Sequence, residues 1–280
     1  MKKNDSMPQA SASAVEALIR LERARGGNAS ASAVLAAIPV PGGALAIDDD
    51  DYPWQLRALA DPPAVVAWTG DLAILERQSR VAIVGSRDAS PERRAAAKAL
   101  AKDLAARGTV IVSGLAAGID RAAHEGALAA QTASGEPGRT AAVLGTPLSR
   151  IYPPENAALG AAIAQSGLIL SETAQIAALA DDAETRAASL RRRNRIVAAL
   201  ALGTVVMAAR PGSSTLIEAR ASLEIGHPVL IWHEAAEDDW AKAWREADPR
   251  DKTGAQLIRV VSTAAEVDEA LSPWRRVWWL

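Results

Sequence analysis

Eight short apolar runs, each set apart from the next by a stretch of polar or alanine-rich sequence, constrain this chain more than any other feature. They fall at residues 65–68, 81–84, 109–112, 141–144, 168–170, 204–207, 229–232 and 257–261. Each is continuous and rich in β-branched residues rather than alternating, which is the pattern of strands covered on both faces. The clearest intervening helix covers 90–107. Ser90 suits its N-cap, Pro91 its first helical position and Gly108 its stop. Its cations Arg93, Arg94, Lys98 and Lys102 are expected on one face, leaving Ala95, Ala99, Leu100 and Leu104 for the core. Other helices are expected to begin near Gly118, Glu155, Arg186, Ser214, Asp238 and Ala264. Strands alternating with helices require right-handed crossovers, so the fold class is α/β: a mostly parallel sheet with helices on both faces.

In a Rossmann-like sheet of this kind, ligands bind at the carboxyl ends of the strands. The loops after the runs therefore carry the functional reading. Gly85-Ser86-Arg87 follows the run at 81–84. Ser113-Gly114-Leu115-Ala116-Ala117-Gly118-Ile119-Asp120 follows the next, with His124 one helical turn beyond. Gly145-Thr146-Pro147 and Tyr152-Pro153-Pro154-Glu155-Asn156 follow the third, Ser171-Glu172 the fourth, and Pro211-Gly212-Ser213-Ser214-Thr215 the fifth. These loops share small residues, hydroxyls and N–H groups at helix starts, a chemistry suited to phosphate. Arg87 adds a fork-shaped cation able to make bidentate phosphate contacts. One glycine-rich turn serves equally well as a plain turn; five at one sheet edge favour a ligand.

Two phosphate signatures are missing. No G-x-G-x-x-G opens the first crossover and no G-x-x-x-x-G-K-[ST] occurs, which disfavours a dinucleotide site and a P-loop. No cofactor is expected. A further cluster, Arg191-Arg192-Arg193-Asn194-Arg195, is read as a basic helix start. Cations there oppose the helix dipole and so point to an anion facing them; the plain alternative is a solvated basic surface.

At these residues the sequence resembles the DNA-processing protein A family (DprA, also called Smf). The segments that carry the resemblance are VAIVGSR (81–87), SGLAAGIDRAAH (113–124), AVLGTPLSRIYPPEN (142–156), LILSE (168–172), RNRIVAAL (193–200) and SSTLIEARASLEIGHPV (213–229), preceded by YPWQLRALADPPAVVAWTGDL (52–72). The resemblance implies an extended Rossmann fold that binds single-stranded DNA in a basic groove, dimerises, and helps load a RecA-type recombinase during natural transformation, without catalysis. Carried over, Gly85, Ser86 and Arg87 would meet the DNA backbone, as would Arg191 to Arg195 and the loop Gly212, Ser213, Ser214 and Thr215. Ser113, Gly114 and Gly118 would shape a second wall, with Asp120 ordering its loop.

The chain departs from the family in three places. Leu190 and Arg191 stand where an aromatic and a proline usually precede RNR, and the chain has no Phe. Aromatic stacking is worth about 1–3 kcal/mol per base in single-strand binders, so phosphate charge should carry more of the binding, with steep salt dependence. Glu218 places a carboxylate in the site loop. After Val261 too little sequence follows for the winged-helix domain that many members append, and Trp274, Trp278 and Trp279 are expected to pack on the body, with a partner contact as the alternative. The competing function is enzymatic. Pro211-Gly212-Ser213-Ser214-Thr215-Leu216-Ile217-Glu218 echoes, one residue short, the P-G-G-x-G-T-x-x-E of LOG-type phosphoribohydrolases that cleave nucleoside monophosphates. Glu218, on the first turn of a helix, would then serve as a general base or stabilise an oxocarbenium-like state, and a nucleotide-sensing protein belongs to the same alternative.

Composition narrows the remaining classes. The absence of cysteine excludes disulfides, thiolate metal sites and cysteine nucleophiles, and His124, His227 and His233 are too scattered for a metal centre. Thirty-one Lys and Arg against thirty-three Asp and Glu exclude a globally basic binder but not a local basic patch. No apolar region follows the charged start, and no apolar run nears the roughly 20 residues of a membrane helix, so a cytoplasmic protein is expected. Residues 1–51 read as a short helical segment (14–24) followed by a linker over 38–51 with a solvated acidic turn, Asp48 to Asp51, that lacks the interleaving of a calcium loop. Residues 52–280 read as one domain.

Overall fold

The computed structural model describes residues 42–173, 183–247, 249–250 and 254–277. The helix expected over 14–24 and the terminal residues Trp278 and Trp279 lie outside them. Nine strands form one sheet: β1 (Gly42–Ala46), β2 (Val65–Gly70), β3 (Arg80–Gly85), β4 (Val110–Ser113), β5 (Thr140–Leu144), β6 (Leu168–Ser171), β7 (Thr204–Ala208), β8 (Val229–Trp232) and β9 (Ile258–Val261). Their order is β1-β2-β6-β5-β4-β3-β7-β8-β9, parallel from β6 to β9 and antiparallel at β1 and β2. The eight apolar runs are eight of these strands.

The linker expected over 38–51 is overturned at Gly42–Ala46. That stretch pairs with β2, from Gly42 opposite Thr69 to Ala46 opposite Val65, so the sheet begins before Tyr52. Gly43 lies close under Trp68: a Cβ would stand 3.2 Å from the indole nitrogen, a tight contact that the ring would have to yield slightly to accept. The acidic turn that follows is mostly at the surface, with Asp49 Oδ2 accepting a hydrogen bond from Ala46 N at 2.7 Å.

Helices cover both faces: α1 (Trp54–Arg57), α2 (Pro91–Ala106), α3 (Ile119–Leu128), α4 (Ala157–Ser166), α5 (Ala183–Leu200), α6 (Ser214–Glu224), α7 (Asp239–Ala247) and α8 (Ala264–Val277). Strand residues alternate between the two cores. Ala82 and Val84 of β3 pack with Leu56, Ile196, Ala219 and Trp240 of α1, α5, α6 and α7. Val81 and Ile83 pack with Leu100, Ala123 and Val267 of α2, α3 and α8. Burial on both sides explains why the runs lack alternation.

Helix α2 begins as its sequence predicts, with Ser90 Oγ accepting from Arg93 N, and Gly108 takes φ +85° beyond its end. Its inward face differs from the expectation. Ala97, Leu100, Ala101, Leu104 and Ala105 are buried, whereas Ala95 and Ala99 are exposed. The i, i+4 row from Ala97 to Ala105 turns toward α3, which approaches so closely that a Cβ on Gly126 would lie 2.2 Å from Lys98 O. Trp274 of α8 packs on the body and donates from its indole to Gly226 O at 2.9 Å. Among the described residues no helix is long and apolar enough to cross a membrane.

Candidate nucleic-acid interface

The sheet reverses its direction of growth at β3. From that strand the chain runs outward through β4, β5 and β6, then returns to the other side of β3 with β7, β8 and β9. Crossovers therefore diverge above β3 and β7, and the loops beyond these two strands splay apart, leaving the crevice in which α/β sheets bind ligands. A cleft of about 550 Å³ lies there, lined by Gly85, Ser86 and Arg87 after β3, Arg210 and Gly212 after β7, the first turn of α6, and α5.

Arg193 forms part of the floor. It is 4% exposed, and its guanidinium lies against Gly114, where a Cβ would stand 1.6 Å from Nη1. Neither Nε nor Nη1 has a hydrogen-bond acceptor. Two buried carboxylates flank it. Asp120 accepts from Ala116 N at 3.4 Å and is also bonded to Gly114 N, while burial pushes its carboxyl up against the pull of Arg193. Burial pushes Glu218 up to about 8, opposed by Arg193 and assisted by Asp120, and its Oε1 is unpartnered. Glu218 is the fifth residue of α6, beyond the first turn in which the helix dipole would favour its charge. Desolvation decides its state, so at neutral pH Glu218 is a neutral acid, and Asp120 is the other carboxylate beside Arg193.

The rim carries further cations. Arg87 and Arg191 are exposed and make no ion pair among the described residues. Arg210 pairs with Asp88, and Arg186 lies over the ring of Tyr152, 5.0 Å from its centroid. The N–H groups of Ser214 and Thr215, in the first turn of α6, precede any intrahelical acceptor. The neighbouring Ser213 hydroxyl is buried without a partner. Asn194 ties the walls together by donating from Nδ2 to Ser214 O at 2.9 Å.

Other residues expected at the site lie elsewhere. Arg191 to Arg195 fall in the middle of α5, not at a helix start, so the dipole argument for them does not apply. Arg195 is turned away from the cleft into a bidentate pair with Glu172, at 2.6 and 2.7 Å, and also donates to Asp61 O. Arg192 reaches Asp61 at 3.2 Å. Ser113 is fully buried, its hydroxyl donating to Ile83 O at 2.7 Å.

The glycines also act differently from expectation. A Cβ on Gly85 would strike Ile119, and one on Gly118, at φ +79°, would lie 2.4 Å from the carbonyl oxygens of Ser86 and Arg87. These two residues and Gly114 let the protein approach itself; Gly212, at φ +72°, faces open space. His124 belongs to the core. It donates from Nδ1 to Thr140 at 2.7 Å, and burial pushes its pKa down to about 3.

Sequence reasoning did not assign Tyr152, Arg186 or Arg210 to the site. Tyr152 ends the loop after β5 and was visible as the aromatic beside two prolines. Arg186 and Arg210 gave no local signal, since only the fold brings them to one rim.

Comparison with known proteins agrees with this architecture. Residues 43–267 match the family described as DNA recombination-mediator protein A. The chain is 33% identical over 184 residues to DNA processing protein DprA of Bacillus subtilis, covering 66% of this chain and 58% of that protein. It is 39% identical over 186 residues to protein Smf of Synechocystis, covering 65% and 44% respectively. The matched segment thus spans about half the length of these relatives. DprA from Streptococcus pneumoniae superposes with a TM-score of 0.69 at 30% identity, over 85% of this chain and 75% of that one. DprA from Helicobacter pylori, whose structure describes a single-stranded DNA binding mode, superposes with a TM-score of 0.66 at 26% identity, over 82% and 96%.

Proposed function

The chain belongs to the DNA recombination-mediator protein A family, and from that premise we propose that it binds single-stranded DNA in the cleft above β3 and β7. The observation that carries this reading is Arg193, a buried guanidinium at a cleft floor with two nitrogens lacking acceptors. Nε and Nη1 are sealed against the protein, so what Arg193 offers a phosphate in the cleft is its positive charge, little screened at so buried a position. The α6 N–H groups offer donors to the same phosphate, while Arg87 and Arg191 meet its neighbours along the strand. Tyr152 offers a face on which a base can stack. Glu218, held neutral by its burial, is compatible with an anion overhead and can itself donate a hydrogen bond. The family relationship supports a non-catalytic role as a cytoplasmic homodimer that assists a RecA-type recombinase.

The test is a titration of labelled oligothymidylate and duplex DNA at two salt concentrations with wild type, Arg87→Ala and Arg193→Ala. The reading expects preference for the single strand, weaker binding by both variants, and a log–log salt slope reduced by about 0.7 in Arg87→Ala, the value of one single-strand phosphate contact. Binding indifferent to both arginines would overturn it. Incubation with AMP runs in parallel, and adenine release that depends on Glu218 would assign the cleft to hydrolysis instead.

A further inference from the structure

A second groove, of about 620 Å³, adjoins the cleft on the far side of α6 and is bounded by α5, α6 and α7. Arg191, Gly212, Ser213 and Ile217 line both spaces, so one leads into the other across the start of α6. The groove is apolar along its length and basic at its margins. Ile217, on a helix packed on the sheet, is 44% exposed and stands in the groove wall. Opposite it on α7, Trp244 is half-buried and stands edge-on to Trp240, with ring centroids 6.0 Å apart.

The charges are asymmetric. At one end Arg192 and Arg195 are already matched by Asp61 and Glu172. Arg191 and Arg220 are exposed and have no ion pair among the described residues, and Glu224 is the acid in the lining. An aromatic and an aliphatic surface between unmatched arginines is the combination that holds single-stranded nucleic acid, with bases on the apolar strip and phosphates on the cations.

We infer that this groove is a second single-stranded DNA subsite, which receives the strand as it leaves the cleft over Gly212 and Ile217. It rests on the cleft reading, and the occupant follows from continuity with the cleft and from the charge of Arg191 and Arg220. Trp244 and Ile217 take bases, and Arg220 takes a phosphate. The occupied length of DNA is therefore greater than the cleft alone could hold.

A ladder of oligothymidylates from roughly four to roughly sixteen nucleotides, the range of site sizes in single-strand binders, tests this. Wild-type affinity should keep rising beyond the shortest lengths. Trp244→Ala and Arg220→Ala should each lower the affinity of the longest oligomer by roughly tenfold and leave that of the shortest unchanged, consistent with one stacking or phosphate contact. Arg220 is exposed, so its variant keeps the test valid should Trp244→Ala fail to fold. If the two variants bind every length as wild type does, the groove is no DNA subsite although the cleft reading stands. If no length binds wild type, both fall. Displacement of the long oligomer's contribution by an acidic peptide, with Arg220→Ala abolishing peptide but not DNA binding, would reassign the groove to a protein partner.

Discussion

Replacing Glu218 with Gln should stabilise this protein increasingly as pH rises. Glu218 is 4% exposed, and burial raises its pKa from 4.5 to about 8. Because the folded value is the higher one, the folded state binds more protons than the unfolded chain between these two limits. The stability this group confers is complete below about pH 4.5, declines as pH rises toward 8, and is constant beyond. At about pH 7.5 the gap to the unfolded value is 7.5 − 4.5, or about 3 pH units; at about 1.36 kcal/mol each, the cost is about 4 kcal/mol. That figure is a ceiling, since water and side chains relax around a buried charge. Gln keeps the volume and removes the titration. Urea denaturation of wild type and variant from about pH 5.5 to about pH 9 reads the effect as a change in midpoint. The difference should grow by up to about 1.4 kcal/mol per pH unit and flatten above pH 8. Two parallel stability curves would refute the argument, because they would mean that Glu218 titrates alike in the folded and unfolded chain. DNA affinity should show the same signature: wild type weakening above pH 8 as Glu218 ionises beside Arg193, the variant remaining level.

Two further substitutions separate binding from structure. Gly114→Ala would place a Cβ 1.6 Å from Arg193 Nη1 and expel the guanidinium from the floor; single-strand affinity should fall by about tenfold or more, the worth of one charge-assisted contact, while circular dichroism stays native. Arg195→Ala removes the bidentate partner of Glu172 and should destabilise the fold by roughly 1.5–3 kcal/mol, with the salt slope of DNA binding unchanged in the same titration.

Most of the sheet was legible because most of its strands are buried on both faces and their runs announce themselves. β1 was not. Gly42-Gly43-Ala44-Leu45-Ala46 has no β-branched residue and is preceded by prolines; it becomes a strand because β2 offers it a ladder. The direction of β2 was hidden too, since an apolar run carries no polarity. Only the short connection from Gly70 to Arg80, below the dozen residues of a parallel crossover, bears on it.

At the site, the loops after β3 and β7 could be read as a ligand edge from their small residues and hydroxyls. The role of each arginine could not. Arg193 and Arg195 are two positions apart in one motif, and rotation about α5 sends one to the cleft floor and the other to Glu172. Two residues apart in an α-helix stand about 200° from each other, a separation hidden by reading the cluster as a helix start when it lies within α5.

The pairing of β3 with β7, Ala82 opposite Thr204 through Val84 opposite Val206, joins parts of the chain separated by more than a hundred residues. A binding surface raised on that seam has no local precursor: neither half of the polypeptide can display it before the other arrives. Whatever occupies it ligates only the finished molecule and shifts the conformational balance toward that form by mass action. Long-range closure of this kind is slow, and a ligand seated on the seam would be held only once β3 and β7 have paired.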